Sequence, residues 1–433
     1  MKPLGWLGIM RLGLVQMALG SIIVLTTATM NRVMVVELAL PAILPGLLVA
    51  LYQGTQMMRP KFGHSADVSA ARTRWIIGGM AVLVAGAVLA SMSIAVMDGN
   101  TALGVLIAVG AFVLIGFGLG SSATNLLALL AMRVADERKA AAGSAVWIMM
   151  IAGLAVTGIV AGINLDPYSH TRLIAVTAIV GAIAMTLCLV GVWGQERGAV
   201  ATAQEGKGDF RAAIAEVWND PVARSFSIFV FAAMLAYNTQ DLILEPYGGH
   251  VFGMTPGDST KLGGMQHAGA LTGMLLVLIS GTLLRRFVTI PVRAWVVGGC
   301  MGSGVALIAL GLGGQSGADW PVTANVFLLG LTNGAFAVAA IGAMMMLATG
   351  GDRAREGTRM GVFGAAQAVA FGLGSFLGTV AVDVMRSLTP DLPLAYGTVF
   401  IAEGGLFLIS ALLAAKIGFS VPERGTAQMV PGE

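Results

Sequence analysis

Residues 101–132 read TALGVLIAVGAFVLIGFGLGSSATNLLALLAM, thirty-two residues without one aspartate, glutamate, lysine or arginine. A helix needs roughly 20 consecutive apolar residues to cross a bilayer, and this run exceeds that length unbroken by charge. Outward from it, apolar runs bounded by charge or by Pro/Gly clusters recur at 12–36, 38–58, 75–97, 142–163, 172–194, 223–246, 262–284, 292–314, 321–349, 359–382 and 394–417. Twelve transmembrane helices are expected. Of the 433 residues 57% are hydrophobic and 11% charged, with a mean hydropathy of +0.85, whereas soluble domains carry about a quarter charged residues. A soluble enzyme is thereby excluded. Inside hydrocarbon every backbone polar group must be bonded internally, and a barrel would need alternating strands of about ten residues. No such alternation is present, so the fold class is an all-α integral membrane protein.

The net charge of +3 and pI near 9.0 come without a basic cluster interleaved with aromatics, so nucleic acid is not an expected partner. Cys188 and Cys300 stand alone in apolar stretches, without metal-ligand or disulfide spacing, and no metal site is expected. The first run is too long for a cleaved signal peptide and leads straight into another. With both termini in the cytoplasm, twenty-one of the lysines and arginines fall inside, and only Arg32, Arg172, Lys261 and Arg386 fall outside. Cytoplasmic loops carry such an excess, and one missed span would invert every later loop, so the even count follows. The expected location is a membrane that the chain crosses many times.

The longest polar stretch, Gln195 to Pro221, divides the chain into equal halves. The expected organisation is a six-helix bundle over 1–194, a cytoplasmic linker over 195–222, a second six-helix bundle over 223–419 and a cytoplasmic tail over 420–433. The halves echo one another. Asp136 corresponds to Asp352 and Gly158/Gly162 to Gly374/Gly378, all 216 residues apart, while Gly116/Gly120 and Gly330/Gly334 repeat at 214. Two pseudo-symmetric bundles are therefore expected, as in transporters built from repeats. Small residues at that spacing let helix backbones approach where lipid supplies no hydrophobic force between helices.

Charged side chains at membrane depth cost about 2.5–3.5 kcal/mol each on insertion scales. Glu403, about eight residues into the last span, must therefore face a polar cavity or another helix, or stand as a protonated structural carboxyl. His267, beside Gln266 in the eighth span, could ligate the metal of a porphyrin, relay protons, or simply be a hydrogen-bonded histidine. Asn125, Asn333 and Gln367 are candidates to line a central cavity, with polar interhelix bonding as the alternative. His64, His170 and His250 are expected in loops.

The loop between spans two and three reads Gly63-His64-Ser65-Ala66-Asp67, followed by Arg72 and Arg74. It resembles the loop signature of the major facilitator superfamily, with Val68-Ser69-Ala70 where that signature has a basic residue and glycine. Together with Asp136, Arg138, Asp352 and Arg353 it forms a candidate cytoplasmic gate. On the opposite side the first span ends Asn31-Arg32-Val33-Met34-Val35-Val36-Glu37, and the seventh ends Gln240-Asp241-Leu242-Ile243-Leu244-Glu245-Pro246-Tyr247-Gly248-Gly249. Arg32 could pair with a carboxylate there and close the outer mouth, or these charges could anchor helix ends.

At these segments the sequence resembles the PucC family, the bacteriochlorophyll-delivery branch of the major facilitator superfamily. Asn-Arg-Val-Met-x-Val-Glu-Leu at 31–38, the Gly63 to Asp67 loop and Gln-Asp-x-x-Leu-Glu-Pro-Tyr-Gly-Gly at 240–249 carry the resemblance, with a looser match over Tyr396 to Glu403. The chain length also resembles that of members labelled a bacteriochlorophyll synthase chain. The resemblance implies the major facilitator fold and a factor that binds, delivers or flips bacteriochlorophyll while light-harvesting complexes assemble in a bacterial inner membrane, cytoplasmic or intracytoplasmic and photosynthetic. It implies as partners the pigment or a related tetrapyrrole, light-harvesting polypeptides, bacteriochlorophyll synthase, membrane lipid and other copies of the chain; bacteriochlorophyll would be bound cargo, with no covalent cofactor. Two other readings stay open. A conventional secondary transporter of a small solute would use Glu403 as its titratable group. A prenyltransferase would need carboxylates paired around magnesium and diphosphate, and no aspartate pair at helical spacing occurs, so no enzymatic activity is expected.

Overall fold

The computed structural model describes residues 4–58, 62, 72–135, 138–196, 219, 221–282, 290–349 and 356–416. The described residues form helices and turns without a strand. In chain order the helices are α1 (Trp6–Glu37), α2 (Ile43–Thr55), α3 (Arg72–Gly99), α4 (Thr101–Arg133), α5 (Lys139–Leu165), α6 (His170–Val192), α7 (Arg224–Leu242 and Leu244–Phe252), α8 (Pro256–Thr282), α9 (Val292–Gly313), α10 (Val322–Thr349), α11 (Glu356–Leu388) and α12 (Leu392–Lys416). Two of the twelve apolar segments depart from a plain span. At α7 the pair Arg224–Leu242 and Leu244–Phe252 bends by 46°, through a tight turn over Gln240–Leu242. At α2 only 13 residues are helical, about 20 Å at 1.5 Å per residue, because the Leu38–Ala42 turn takes up the start of the apolar run. The other ten helices are each long and apolar enough to cross a membrane.

The second arm of α7 moves one residue from its expected place. His250 lies in a helix, since Pro246 falls in the first turn of Leu244–Phe252, where a missing N–H costs nothing. The helix closes at Gly253, whose left-handed φ of +63° favours glycine. His170 opens α6, while His64 lies outside the described residues.

Two apolar cores form, one from α1–α6 joined by Leu242, Ala270, Met274 and Ala337 of the second half, and one from α7–α12. Within the first, α1 packs on α5 and α6, α3 on α4 and α6, and α2 on α4; within the second, α7 packs on α11 and α12, α9 on α10 and α12, and α8 on α10. Two seams join the halves: α5 against α8, and α2 against α11. They are the same pair of elements exchanged between the halves, which gives the molecule its approximate two-fold symmetry.

Glycine sets the closeness of the α5/α8 seam. A Cβ on Gly158 would lie 2.7 Å from Gly264 Cα, and one on Gly264 would lie 2.6 Å from Ile159 N. Gly264→Val should therefore force these backbones apart, at about 1–3 kcal/mol for overpacking. The check is thermal unfolding in detergent followed by circular dichroism, with Gly78→Val as the control because nothing stands within 4 Å of Gly78. The glycine repeat is only partly structural. Gly116 faces α2 and Gly330/Gly334 face α8, the equivalent helix, but Gly158/Gly162 face α8 whereas Gly374/Gly378 face α7. One residue of slippage turns a helical position by about 100°, and Thr379, not Gly378, meets Gly46 across the α2/α11 seam.

Candidate functional site

The structural features that gather chemistry lie at the end of the bundle that the lysine and arginine distribution assigns to the outside. There α1 carries two π-helical turns, Leu25–Thr29 and Val33–Glu37, a geometry that frequently marks functional positions. Between them stand Asn31 and Arg32, 1% and 2% exposed. Asn31 Nδ2 donates to the Leu242 carbonyl in the bend of α7. Arg32 is among the largest wholly buried side chains; its Nη1 pairs with Glu37 Oε1, and its Nη2 donates to the Met254 carbonyl at 2.7 Å. Thr29 Oγ1 meets Thr260 Oγ1 at 3.1 Å, and Thr260 Oγ1 donates to Glu245 Oε2 at 3.4 Å. Glu245 is 1% exposed, and its Oε1 has no hydrogen-bond partner among the described residues.

The Glu-Pro-Tyr-Gly-Gly run explains its own composition here. A Cβ on Gly249 would come within 3.0 Å of Arg32 Nη2, so glycine lets the guanidinium pass. Tyr247 is wholly buried, with its hydroxyl donating to the Leu310 carbonyl at 2.7 Å and its ring edge-on to Phe252 and Phe400. Gly248 lies beside Met254. Gln240 is wholly buried with both amide atoms unpartnered among the described residues, and Asp241 is half-buried next to it.

Two further carboxylates complete this end. Asp383, near the outer end of α11, accepts from Ala42 N at 3.0 Å and Ile43 N at 2.7 Å, at the start of α2. Asp166, just after α5, accepts from Thr255 Oγ1 at 3.0 Å and Gly257 N at 3.3 Å, at the start of α8. Each sits where the first N–H groups of a helix in the other half lack partners of their own. The four outer cations converge on the same groups. Arg386 lies 3.8 Å from Asp383 and Lys261 3.9 Å from Asp166, Arg172 donates to the Asp166 carbonyl, and Arg32 holds Glu37.

The remaining candidates are dispersed. Asn125 accepts from Arg72 Nη1 at 3.3 Å and donates to the Ser121 carbonyl at 2.9 Å, a bond within the first half. Gln266 and Asn333 are buried, and Asn333 Oδ1 is unpartnered among the described residues. Gln367 reaches Met234 Sδ at 3.9 Å. His267 is half-buried, with Nδ1 2.8 Å from the Gly263 carbonyl. Arg138 is exposed at the start of α5. Gly63, Asp67, Asp136, Asp352 and Arg353 lie outside the described residues, as do most of the linker and the whole tail.

The family model described as PUCC protein matches residues 29–421. The chain is 48% identical to a Rhodobacter capsulatus protein named bacteriochlorophyll synthase 44.5 kDa chain, over 98% of both chains. It is 29% identical to protein PucC of the same species, covering 96% of this chain and 91% of that one. Among solved structures it resembles a bacterial homologue of the human lysosomal transporter Spinster, captured inward-facing and occupied, with a TM-score of 0.69, 15% identity and 94% and 95% of the two chains covered. A D-xylose–proton symporter gives 0.67 at 14% identity, over 94% and 97%. These two structural likenesses bear on the fold alone.

Proposed function

Because this chain belongs to the PUCC protein family, we propose that it is a non-catalytic membrane factor that binds bacteriochlorophyll and hands it over during assembly of light-harvesting complexes. The fold is that of the major facilitator superfamily. Two helical halves meeting along glycine-lined seams can open toward one side of the membrane, and an apolar interior suits a phytylated macrocycle, which asks for few polar contacts.

His267 is the observation that carries the reading. A carbonyl oxygen can only accept, so the 2.8 Å contact with Gly263 places the proton on Nδ1 and leaves the Nε2 lone pair for a metal. The central magnesium of bacteriochlorophyll would be held by such a nitrogen. His267 stands on α8, the helix that forms a seam with α5, and is only half-buried. The nearby partners under this reading are light-harvesting polypeptides, the bacteriochlorophyll synthase enzyme and lipid of the photosynthetic membrane, with both termini in the cytoplasm.

The test is purification in mild detergent from a pigment-producing host, with absorbance of the extracted pigment as the readout. Wild type should carry bacteriochlorophyll, and His267→Leu should lose most of it while keeping the same elution volume. A wild-type protein that repeatedly emerges colourless would overturn the proposal; pigment retained in full by His267→Leu would remove His267 as its ligand.

A further inference from the structure

Two grooves on the surface of the membrane-spanning helices repeat one pattern. Trp75, Gly78 and Gly79 on α3 reappear as Trp295, Gly298 and Gly299 on α9, 220 residues later. Nothing stands within 4 Å of a Cβ placed on Gly78 or on Gly298, and Gly78 is one turn from both Trp75 and Val82, so its missing side chain leaves a trough with the indole at one end. The next glycine closes the floor. A Cβ on Gly79 would lie 2.7 Å from Ser122 N of α4, and one on Gly299 would lie 2.8 Å from Phe336 Cβ of α10. Phe117 of α4, edge-on to Phe62 with ring centres 5.9 Å apart, lines the far side of the first groove, and Leu331 of α10 that of the second.

The hydroxyls that border the grooves are already taken. Ser121 donates to the Trp75 carbonyl at 3.1 Å, while Thr332 donates to the Leu328 carbonyl at 3.1 Å and accepts from Ser303 at 3.0 Å. The rims, however, differ. The same offset of 220 sets Ala294 where the first groove has Arg74, and Arg74 is exposed, with no hydrogen bond or ion pair among the described residues. The arginines closest to it in the pattern are engaged: Arg72 donates to Asn125 Oδ1, and Arg293, beside the second groove, to the Ala415 carbonyl. From Arg74 to Val82 the first groove runs about 12 Å along α3 at 1.5 Å per residue, close to the roughly 15 Å of hydrocarbon in one leaflet. It starts at the end of α3 that the lysine and arginine distribution assigns to the cytoplasm.

We propose that the first groove binds a phospholipid of the cytoplasmic leaflet with an anionic headgroup, one acyl chain lying over Gly78 between Trp75 and Phe117 and the phosphate resting on Arg74. The apolar trough alone accepts any hydrocarbon chain, and the second groove does so without choosing a headgroup. Arg74 supplies the choice. Its planar guanidinium can hold two phosphate oxygens at once, on an apolar stem that reaches from the groove to the headgroup layer. A partner helix about 10 Å across is too broad for a trough opened by the loss of one side chain, whereas a single acyl chain matches both its width and its depth in the leaflet. Bound there, the lipid bridges α3 and α4 and ties the first half of the molecule, but not the second, to the charge of the membrane surface.

Purified full-length protein in phosphatidylcholine nanodiscs tests this without pigment, so the result stands apart from the cargo assignment. The probes are phosphatidylglycerol and phosphatidylcholine with the same brominated acyl chains, each added as a minor fraction. Bromine quenches the fluorescence of an indole it touches, and the part of the quenching that is lost in Trp75→Phe reports this groove. Brominated phosphatidylglycerol should produce that part at roughly fivefold lower concentration than brominated phosphatidylcholine, the worth of one basic side chain near an anionic surface. Arg74→Gln should erase the preference while both lipids still quench, and Gly78→Leu should fill the trough and abolish this part of the quenching for both. Gly298→Leu and Arg293→Gln, which alter the second groove and the cation beside it, should leave the preference at Trp75 unchanged. Equal quenching by the two lipids in wild type, or a preference that survives Arg74→Gln, would overturn the proposal. So would a Trp75 that neither lipid reaches in a protein that elutes as a dimer, which would give the groove to a second copy of the chain.

Discussion

Arg32→Leu should be among the most damaging single substitutions in the protein, lowering stability by about 3–5 kcal/mol. That is the usual consequence of breaking a buried charge pair from one side, because the partners stay behind uncompensated. Arg32 is 2% exposed and engages Glu37, the Met254 carbonyl and, through space, Glu245. Without it Glu245, 1% exposed, keeps only the 3.4 Å bond from Thr260. Glu37 is 37% exposed and can turn to water, so most of the loss should trace to Glu245. The double variant Arg32→Leu/Glu245→Gln should then recover more stability than Arg32→Leu/Glu37→Gln, in a double-mutant cycle read from detergent unfolding curves. Arg32→Lys should fall between wild type and leucine, since a compact ammonium keeps the charge but not the planar fork that reaches a carboxylate and a carbonyl together. An Arg32→Leu protein that unfolds within about 1 kcal/mol of wild type would show that the guanidinium does not tie the closure together.

What the sequence discloses here follows from which forces act through neighbours in the chain. Membrane spans are written in uninterrupted apolar runs, so ten long helices and the α7 segment are readable, as is the inequality of charge between the two sides. The bend of α7 is not. Pro246 signals an interruption there, but the 46° angle depends on Leu242 and Glu245 meeting Asn31 and Thr260 of other helices. Arg32 and the Glu-Pro-Tyr-Gly-Gly run could be singled out because charge and paired glycines are costly in apolar segments. Asp166 and Asp383 were open to the same argument, each closing an apolar run and standing 217 residues apart, but a reading of orientation weighs lysine and arginine and passes over acidic residues. The same spacing error affects the glycines. An offset of 216 aligns Gly162 with Gly378, whereas the carboxylates require 217 and align it with Thr379. A further repeat, Trp75-x-x-Gly78-Gly79 on α3 and Trp295-x-x-Gly298-Gly299 on α9, lines two surface grooves of about 340 and 270 Å³.

Asp166→Asn and Asp383→Asn together should loosen the outer closure far more than either alone. Each carboxylate caps the start of a helix belonging to the other half, so it ties the halves only while they are closed at that end. An amide of the same shape can still accept one hydrogen bond, but it gives up the charge that favours a helix N-terminus and, at Asp383, the second of two simultaneous bonds. Both groups are partly exposed, 30% for Asp166 and 23% for Asp383, so screening by water trims the effect to about 1 kcal/mol each, the low to middle of the range for a lost cap. In a two-state closure that amounts to roughly a fivefold rise in the open population per substitution. The two sites lie on different seams and share no partner, so their effects should add in free energy and multiply in population, giving a rise of roughly 25-fold in maleimide labelling of Thr29→Cys. High salt should raise labelling of the unsubstituted background toward that of the single variants, because exposed charge pairs are screened. If the double variant labels no faster than Thr29→Cys alone, the two caps hold helix ends in place without governing the opening, and the closure must rest on Arg32, Asn31 and the packing of α7 against α1.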